Sequence, residues 1–250
     1  MIKKCDFLII GGGIIGLSIA REFKKTYTDS SVCLIEKEND LLLHASGRNS
    51  GVLHAGFYYS SESLKAQLTK TGNIEMREYC QSHQLHINQC GKLVVAKDEN
   101  DFSSMDILLD RARQSEIDLY EISEKDAHQI EPRANTFERA LFSPTTASVN
   151  PTKIMNSMKN DALCEGVKIY CNTKFLRRIK NNIISTSRGK FVASYIINAA
   201  GLYADKVAKQ FGFLSRYVIL PFKGMYLNSN DLPSSIRTNI HPVSDLKIHF

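Results

Sequence analysis

Residues 5–36, CDFLIIGGGIIGLSIAREFKKTYTDSSVCLIE, decide the fold. The apolar run at 5–10 is bounded by glycines and reads as a buried parallel strand. Residues 14–25 read as a helix, with Ile15, Ile19 and Phe23 at four-residue spacing, and residues 32–36 as a second buried strand. Strand, glycine-rich turn, helix and strand make a βαβ crossover. Gly11, Gly13 and Gly16 form G-x-G-x-x-G between the first strand and the helix. In that setting the first glycine permits a tight turn, the second lets the backbone approach a pyrophosphate, and the third lets helix and strand pack closely. The helix start offers N–H groups and a partial positive charge to phosphates. Glu36 lies 20 residues after Gly16, at the end of the second strand, where a carboxylate accepts hydrogen bonds from ribose hydroxyls. The plain alternative is a glycine turn followed by a solvated glutamate. The two features in register favour a dinucleotide.

The rest of the composition narrows the class. A chain of 250 residues, 43% apolar and 23% charged, has the make-up of a globular protein with a sizeable core. It lacks the run of roughly 20 apolar residues that a membrane-spanning helix requires. Lys3 and Lys4 before an apolar run mimic a secretory signal, but Gly11, Gly12 and Gly13 interrupt it. Six cysteines without CxxC spacing argue against a zinc site or a disulfide scaffold, so no metal is expected and the thiols suit a reducing cytoplasm. The net charge of +6 is compatible with an anionic substrate, an anionic cofactor or an acidic membrane surface. No basic cluster interleaved with aromatics is present, which excludes nucleic acid as the expected partner.

Residues 39–60 are rich in Ser, Gly, Asn and His without clean periodicity, and a loop of that length is usually functional. A helix is predicted from about Ser63, with Leu64, Leu68, Met76, Tyr79 and Cys80 on one face. Gly72 on that face suggests close approach to another backbone. A strand at 92–97 and a helix at 101–115 follow. Ser123 and Asp126 resemble a capping box, and Asn150-Pro151 is a helix start, closed at Gly166. Strands are predicted at 167–171, 174–179, 183–187 and 191–198, separated by turns such as Asn181-Asn182 and Arg188-Gly189.

The segment His44–Tyr59, HASGRNSGVLHAGFYY, has the small residues, hydroxyls and glycines of a loop that runs along a flavin. With FLIIGGGIIGLSIA at 7–20, SGRNSGVLHAGFYYSSESLKAQL at 46–68, CGKLVVA at 90–96, IINAAGLYADKVA at 196–208 and PFKGMY at 221–226, the chain resembles the FAD-dependent oxidoreductases of the D-amino-acid oxidase superfamily. NSG-x-x-HAG-x-YY followed by SLKA is most similar to the L-2-hydroxyglutarate dehydrogenase/oxidase group. The resemblance implies FAD as cofactor. Gly11, Gly13, Gly16 and Glu36 would hold its ADP half, and Ser46, Asn49, Ser50 and Gly51 would line pyrophosphate and flavin. Phe175 would present backbone to the adenine. Gly201 would close a second turn near the pyrophosphate, with an ordinary turn after a core strand as its alternative.

His54 is the candidate catalytic residue. Oxidising a secondary alcohol needs a hydride acceptor, which a flavin supplies, and a place for the hydroxyl proton, which an imidazole can take. The alternative is a histidine that hydrogen-bonds the loop backbone or packs on the flavin. Tyr58, Tyr59 and Lys223 are candidates for holding substrate carboxylates, each with a core or surface role as its alternative. Lys223 stands where the family often has Arg, and Asn150 where it often has Asp.

The implied fold is α/β, a Rossmann-like FAD-binding domain (1–80 and 146–212) interleaved with a mostly antiparallel substrate domain (81–145 and 213–250), the latter incomplete at the C-terminus. The implied reaction takes a small anionic 2-hydroxy acid, L-2-hydroxyglutarate, to 2-oxoglutarate, with oxygen or a membrane quinone as acceptor. A relative acting on glycerol 3-phosphate or an amino acid is the alternative, as is a non-catalytic nucleotide-binding module. The expected location is cytoplasmic, with peripheral contact at the inner membrane face left open. The chain ends at Lys247–Phe250, which reads as the start of a strand. A second chain supplying further strands is one expectation. Impaired activity of this chain alone is another.

Overall fold

The computed structural model describes residues 2–225 and 236–243. Two compact units emerge: Met1–Asn49 with Pro151–Tyr226, and Ser50–Asn150 with Leu227–Phe250. The chain begins in the first unit with β1 (Ile2–Ile10), α1 (Ile14–Thr26) and β2 (Val32–Ile35). In the second unit β3 (Val52–Leu53), α2 (Leu64–Ser82), β4 (Ile87–Asn88), β5 (Lys92–Val95), α3 (Phe102–Gln114), β6 (Tyr120–Ser123), α4 (Glu124–Ile130), β7 (Arg139–Ser143) and β8 (Ala147–Val149) follow. The first unit resumes with α5 (Pro151–Cys164), β9 (Lys168–Tyr170), β10 (Phe175–Lys180), β11 (Ile183–Thr186), β12 (Gly189–Asn198) and α6 (Ala204–Gln210), and β13 (Asn239–Pro242) returns to the second.

The first unit is built on a six-stranded sheet in the order β10-β11-β12-β1-β2-β9. Strands β12, β1, β2 and β9 run parallel, and β10 and β11 extend the sheet antiparallel from β12. Strand β1 starts earlier than the apolar run implies, because Lys3 and Lys4 pair with Phe191 and Val192 of β12. All four residues of β2 are buried, as a strand covered on both faces requires. Helix α1 turns Gly16, Leu17 and Ala20 inward. The rings of Phe23 and Tyr27 gather around Phe7, with centroids 4.5 and 5.3 Å away.

The second unit holds a four-stranded sheet, β13-β5-β7-β6, and a small antiparallel sheet, β3-β8-β4. Strand β5 pairs parallel with β13 and antiparallel with β7. The four-stranded sheet is covered on both faces. Val94, Ala96 and Leu141 meet Met105, Leu108 and Ala112 of α3 together with Phe57 and Tyr58. Leu93, Val95 and Ala140 pack with Ala127 of α4 and Ala134. Burying each of Met105 and Leu108 contributes roughly 1.5–3 kcal/mol. The Ser123–Asp126 capping box at α4 forms as expected.

Two expectations differ from the structure. Helix α2 does not bury its leucine stripe: Leu64 and Leu68 are 72% and 68% exposed, and nothing lies within 4 Å of a Cβ placed on Gly72. Its buried residues are Ala66, Asn73 and Cys80, spaced seven apart, because the chain it covers presents backbone carbonyls that an amide satisfies and a leucine cannot. The units also divide elsewhere than 80/81 and 212/213. Residues 50–80 group with the second unit, where Asn73 bonds Leu53 and Thr145 and Lys70 bonds Ser115. Residues 213–225 group with the first, where the Ile219 amide donates to Asp205.

Candidate functional site

In the first unit, β1 ends in a turn that needs its glycines. Gly11 sits at φ +113°, and a Cβ there would lie 2.3 Å from the Ala199 carbonyl oxygen. A Cβ on Gly16 would lie 2.0 Å from the Gly11 carbonyl oxygen. The first and third glycines therefore close the turn and dock the helix, the roles their spacing predicts. Gly13 has only the Ser46 Oγ near its missing Cβ, at 3.1 Å. That hydroxyl accepts from the Ile14 amide at 2.9 Å, joining the His44–Tyr59 segment to the start of α1. The first turn of α1 carries no acidic residue, so nothing there opposes an anion.

Glu36 follows β2 and is buried. Its Oε2 accepts from the Gly12 amide at 2.7 Å and its Oε1 from the Glu38 amide at 3.0 Å. Two oxygens with about four lone pairs keep capacity for ribose hydroxyls while the amides fix their direction. Asn49 donates from Nδ2 to the Ala45 and Ser46 carbonyls and shapes the loop that carries Ser46. Gly201, at φ +53°, opens the short 3₁₀ turn that follows Ala199 and Ala200, the residues against which Gly11 packs. These residues fit an ADP-type pyrophosphate: a glycine cradle that a side chain would fill, a helix start without acid, and an oriented carboxylate. Phe175 opens edge strand β10, two residues after Thr173, whose amide donates to the Glu36 carbonyl at 2.7 Å. Its ring stacks on Phe211 at 6.2 Å. Lys223 is exposed in a stretch of the first unit without helix or strand.

Ser50 and Gly51 open the second unit. Gly51, at φ +70°, accepts from the Val149 amide at 2.8 Å. His54 follows β3, and its backbone is held by Asn73 of α2. The Asn73 Nδ2 donates to the carbonyls of Leu53, His54 and Thr145 at 3.1–3.2 Å. Its Oδ1 accepts from Arg77 Nε at 2.9 Å, and Arg77 Nη2 donates to the Thr145 carbonyl at 2.6 Å. Gly56, at φ +108°, lets the following turn approach α2, where a Cβ would come within 3.2 Å of the Ala66 carbonyl oxygen.

The imidazole of His54 is held down at about 4, first by desolvation and then by the charges of Lys92 and His241. The residue keeps solvent access despite its crowded surroundings, so water moderates this lowering. A neutral imidazole at neutral pH is a proton acceptor. Tyr58 is buried, its phenol pushed up mainly by burial, and its ring stacks on Phe57 at 4.5 Å. Arg111 Nη1 donates to the Tyr58 carbonyl at 2.6 Å. Tyr59 is half-buried, with Lys65 Nζ 4.4 Å from its ring centroid.

Sequence reasoning missed three members of this cluster. Asn73 looked like one more polar residue of a helix. His241, whose ring stands 5.8 Å edge-on from Tyr58, carried no motif. Lys92 opens the strand predicted at 92–97 and carried no motif. It is 3% exposed, and its Nζ lies 4.8 Å from the Tyr58 ring centroid. The signal available was that β5 is apolar on both faces after Lys92, so its first residue is buried too.

Comparison with known proteins agrees with this geometry. The sequence pattern of the DAO family, described as FAD dependent oxidoreductase, matches residues 6–250. The chain is 32% identical over 250 residues to the L-2-hydroxyglutarate dehydrogenase of Escherichia coli strain K12, covering 98% of this chain and 59% of that protein. It is 31% identical over 262 residues to the mitochondrial L-2-hydroxyglutarate dehydrogenase of Homo sapiens, covering 98% and 56%. It therefore spans a little over half the length of these relatives. Among solved structures, L-α-glycerophosphate oxidase from Mycoplasma pneumoniae with FAD bound superposes with a TM-score of 0.75 at 25% identity, over 83% of this chain and 57% of that one. L-proline dehydrogenase from P. horikoshii gives 0.76 at 20% identity, over 85% and 57%, a likeness of fold. The chain belongs to the DAO family of FAD-dependent oxidoreductases.

Proposed function

We propose that this protein oxidises L-2-hydroxyglutarate to 2-oxoglutarate. The observation that carries the reading is the likeness to L-2-hydroxyglutarate dehydrogenases across nearly the whole chain, together with a neutral histidine beside a buried lysine in the second unit. FAD, when bound, supplies the acceptor for the hydride that leaves C2 of the substrate. Gly11, Gly13, Gly16, Glu36 and Ser46 bind its ADP half, with Asn49, Ser50, Gly51, Phe175 and Gly201 completing the cofactor contacts. Most of these residues lie in the first unit, while Ser50, Gly51, His54, Tyr58 and Tyr59 lie in the second. His54 takes the C2 hydroxyl proton as the C–H bond breaks and the carbonyl forms. Asn73 positions His54 through its backbone. Tyr58, Tyr59 and Lys223 are the aromatic and cationic groups assigned to the substrate carboxylates. The final electron acceptor in this reading would be oxygen or a quinone.

No helix of the described residues is long and apolar enough to cross a membrane. All six cysteines are free thiols, which supports a reducing compartment such as the cytoplasm. The test of the assigned base is His54→Ala in the FAD-loaded protein. Turnover falls by about 10²-fold or more, the usual size of a lost acid–base group, while FAD content is retained. Undiminished turnover would place the proton acceptor elsewhere.

A further inference from the structure

Lys92 stands out among the charged residues of the second unit. It is 3% exposed, on the face of the four-stranded sheet that also carries Val94. Among the described residues no carboxylate bonds or pairs with it. The half-buried cations of this unit are satisfied differently: Arg139 meets Asp106 and Glu121, Arg77 meets Asn73 and Thr145, Arg111 meets the Tyr58 carbonyl, and Lys70 meets the Ser115 carbonyl. Lys92 faces the Tyr58 ring, its charge acts on His54, and His241 stands edge-on to the same ring; none of the three is an anion at neutral pH. A ring face gives an ammonium about 0.5–2 kcal/mol, less than the desolvation of a buried charge. A buried lysine without a counter-ion among the described residues, whose charge acts on an imidazole, is arranged for an anion that arrives from solution.

We propose that Lys92 is the counter-ion for a carboxylate of the substrate, and so selects anionic hydroxy acids at the His54 site. This rests on the hydroxy-acid reading above. The ammonium is a compact point charge with three donors, suited to one carboxylate oxygen pair. Its stem is fixed by the strand and by Tyr58, so little freedom is lost when the anion binds. The carboxylate also neutralises the positive charge that depresses the basicity of His54, so substrate binding strengthens the base that must accept the hydroxyl proton. Sequence reading offers Tyr58, Tyr59 and Lys223 for the substrate carboxylates, and Lys92 adds a buried cation of the second unit to them.

The test uses glutarate, a dicarboxylate with no hydroxyl to oxidise, in the FAD-loaded protein. Its Kd is measured by calorimetry for wild type, Lys92→Met, Lys92→Gln and Lys92→Arg, with FAD content and Tm recorded for each. Loss of a charge-assisted hydrogen bond weakens glutarate binding by roughly ten- to a hundredfold in Lys92→Met and Lys92→Gln, with FAD content unchanged. Lys92→Arg keeps the charge and is weakened less. KM for L-2-hydroxyglutarate rises in parallel with the glutarate Kd. If either neutral variant folds with FAD and binds glutarate within about twofold of wild type, Lys92 is no carboxylate partner, while the hydroxy-acid reading stands. If wild type neither binds glutarate nor oxidises L-2-hydroxyglutarate, both fall together.

Discussion

Replacing Lys92 with Met should make the ligand-free protein more stable, and the size of the effect follows from its burial. The side chain is 3% exposed, and burial lowers the ammonium from the ordinary 10.5 to about 8. At roughly 1.4 kcal/mol per pH unit, that difference corresponds to about 3 kcal/mol of unfavourable burial. The Tyr58 ring returns part of it, which leaves a net stabilisation of about 2 kcal/mol for a methionine of similar shape. The pH dependence fixes the cause. Below pH 8 both folded and unfolded chains carry the proton, and wild type bears the whole burden. Between pH 8 and 10.5 the unfolded chain holds the proton and the folded one releases it, so wild-type stability climbs relative to the variant. Above that window both are neutral and the difference closes. Calorimetry of the FAD-loaded proteins at pH 7 should show Lys92→Met melting roughly 5 °C higher, with most of the gap gone at pH 10. A variant that melts at or below wild type at pH 7, with FAD content unchanged, would refute the reasoning. It would mean that an anion of the protein already neutralises Lys92.

Three further outcomes are expected. Gly13→Val should remove FAD from the purified protein while the fold remains, because the valine methyls would enter the space beside Ser46 Oγ and the expected pyrophosphate; wild-type flavin content in that variant would refute the assignment. Asn73→Ala should destabilise by about 2–4 kcal/mol, since three carbonyls and Arg77 lose a buried partner, and should lower turnover with FAD retained; unchanged denaturation would show that these bonds are replaced. The acid limb of kcat/KM should lie below pH 6.5, because local desolvation and the charges of Lys92 and His241 hold His54 neutral there, and turnover falls as pH drops through its lowered value; a limb above 6.5 that Lys92→Met leaves in place would contradict this.

The nucleotide-binding part was legible in the sequence because it is local. The turn at Gly11, the docking of Gly16 and the position of Glu36 just after β2 all follow from spacing along one βαβ unit. The capped helix α4 and the start of α5 at Pro151 were legible for the same reason. The second unit was less so. His54 drew attention through its motif, but what holds and tunes it comes from afar: Asn73 lies 19 residues away, and β13 brings His241 to the neighbouring strand of Lys92. Periodicity failed on α2, where Leu64 and Leu68 mark the outer face and a polar Asn73 the inner one. Hydrophobic pattern assumes that the covered surface is apolar. Here it is a set of carbonyls, and the rule inverts. The compact units likewise divide where tertiary bonds join residues 50–80 to Ser115 and Thr145 of the second unit, a link that composition does not carry.

The most direct test of the central claim is the absorption spectrum of the purified protein, recorded without oxygen before and after adding L-2-hydroxyglutarate. The account predicts the bands of bound oxidised flavin, bleached by L-2-hydroxyglutarate and left in place by glycerol 3-phosphate and by glycine. A protein without flavin, or a bound flavin that L-2-hydroxyglutarate leaves oxidised while either of the other two bleaches it, would contradict it.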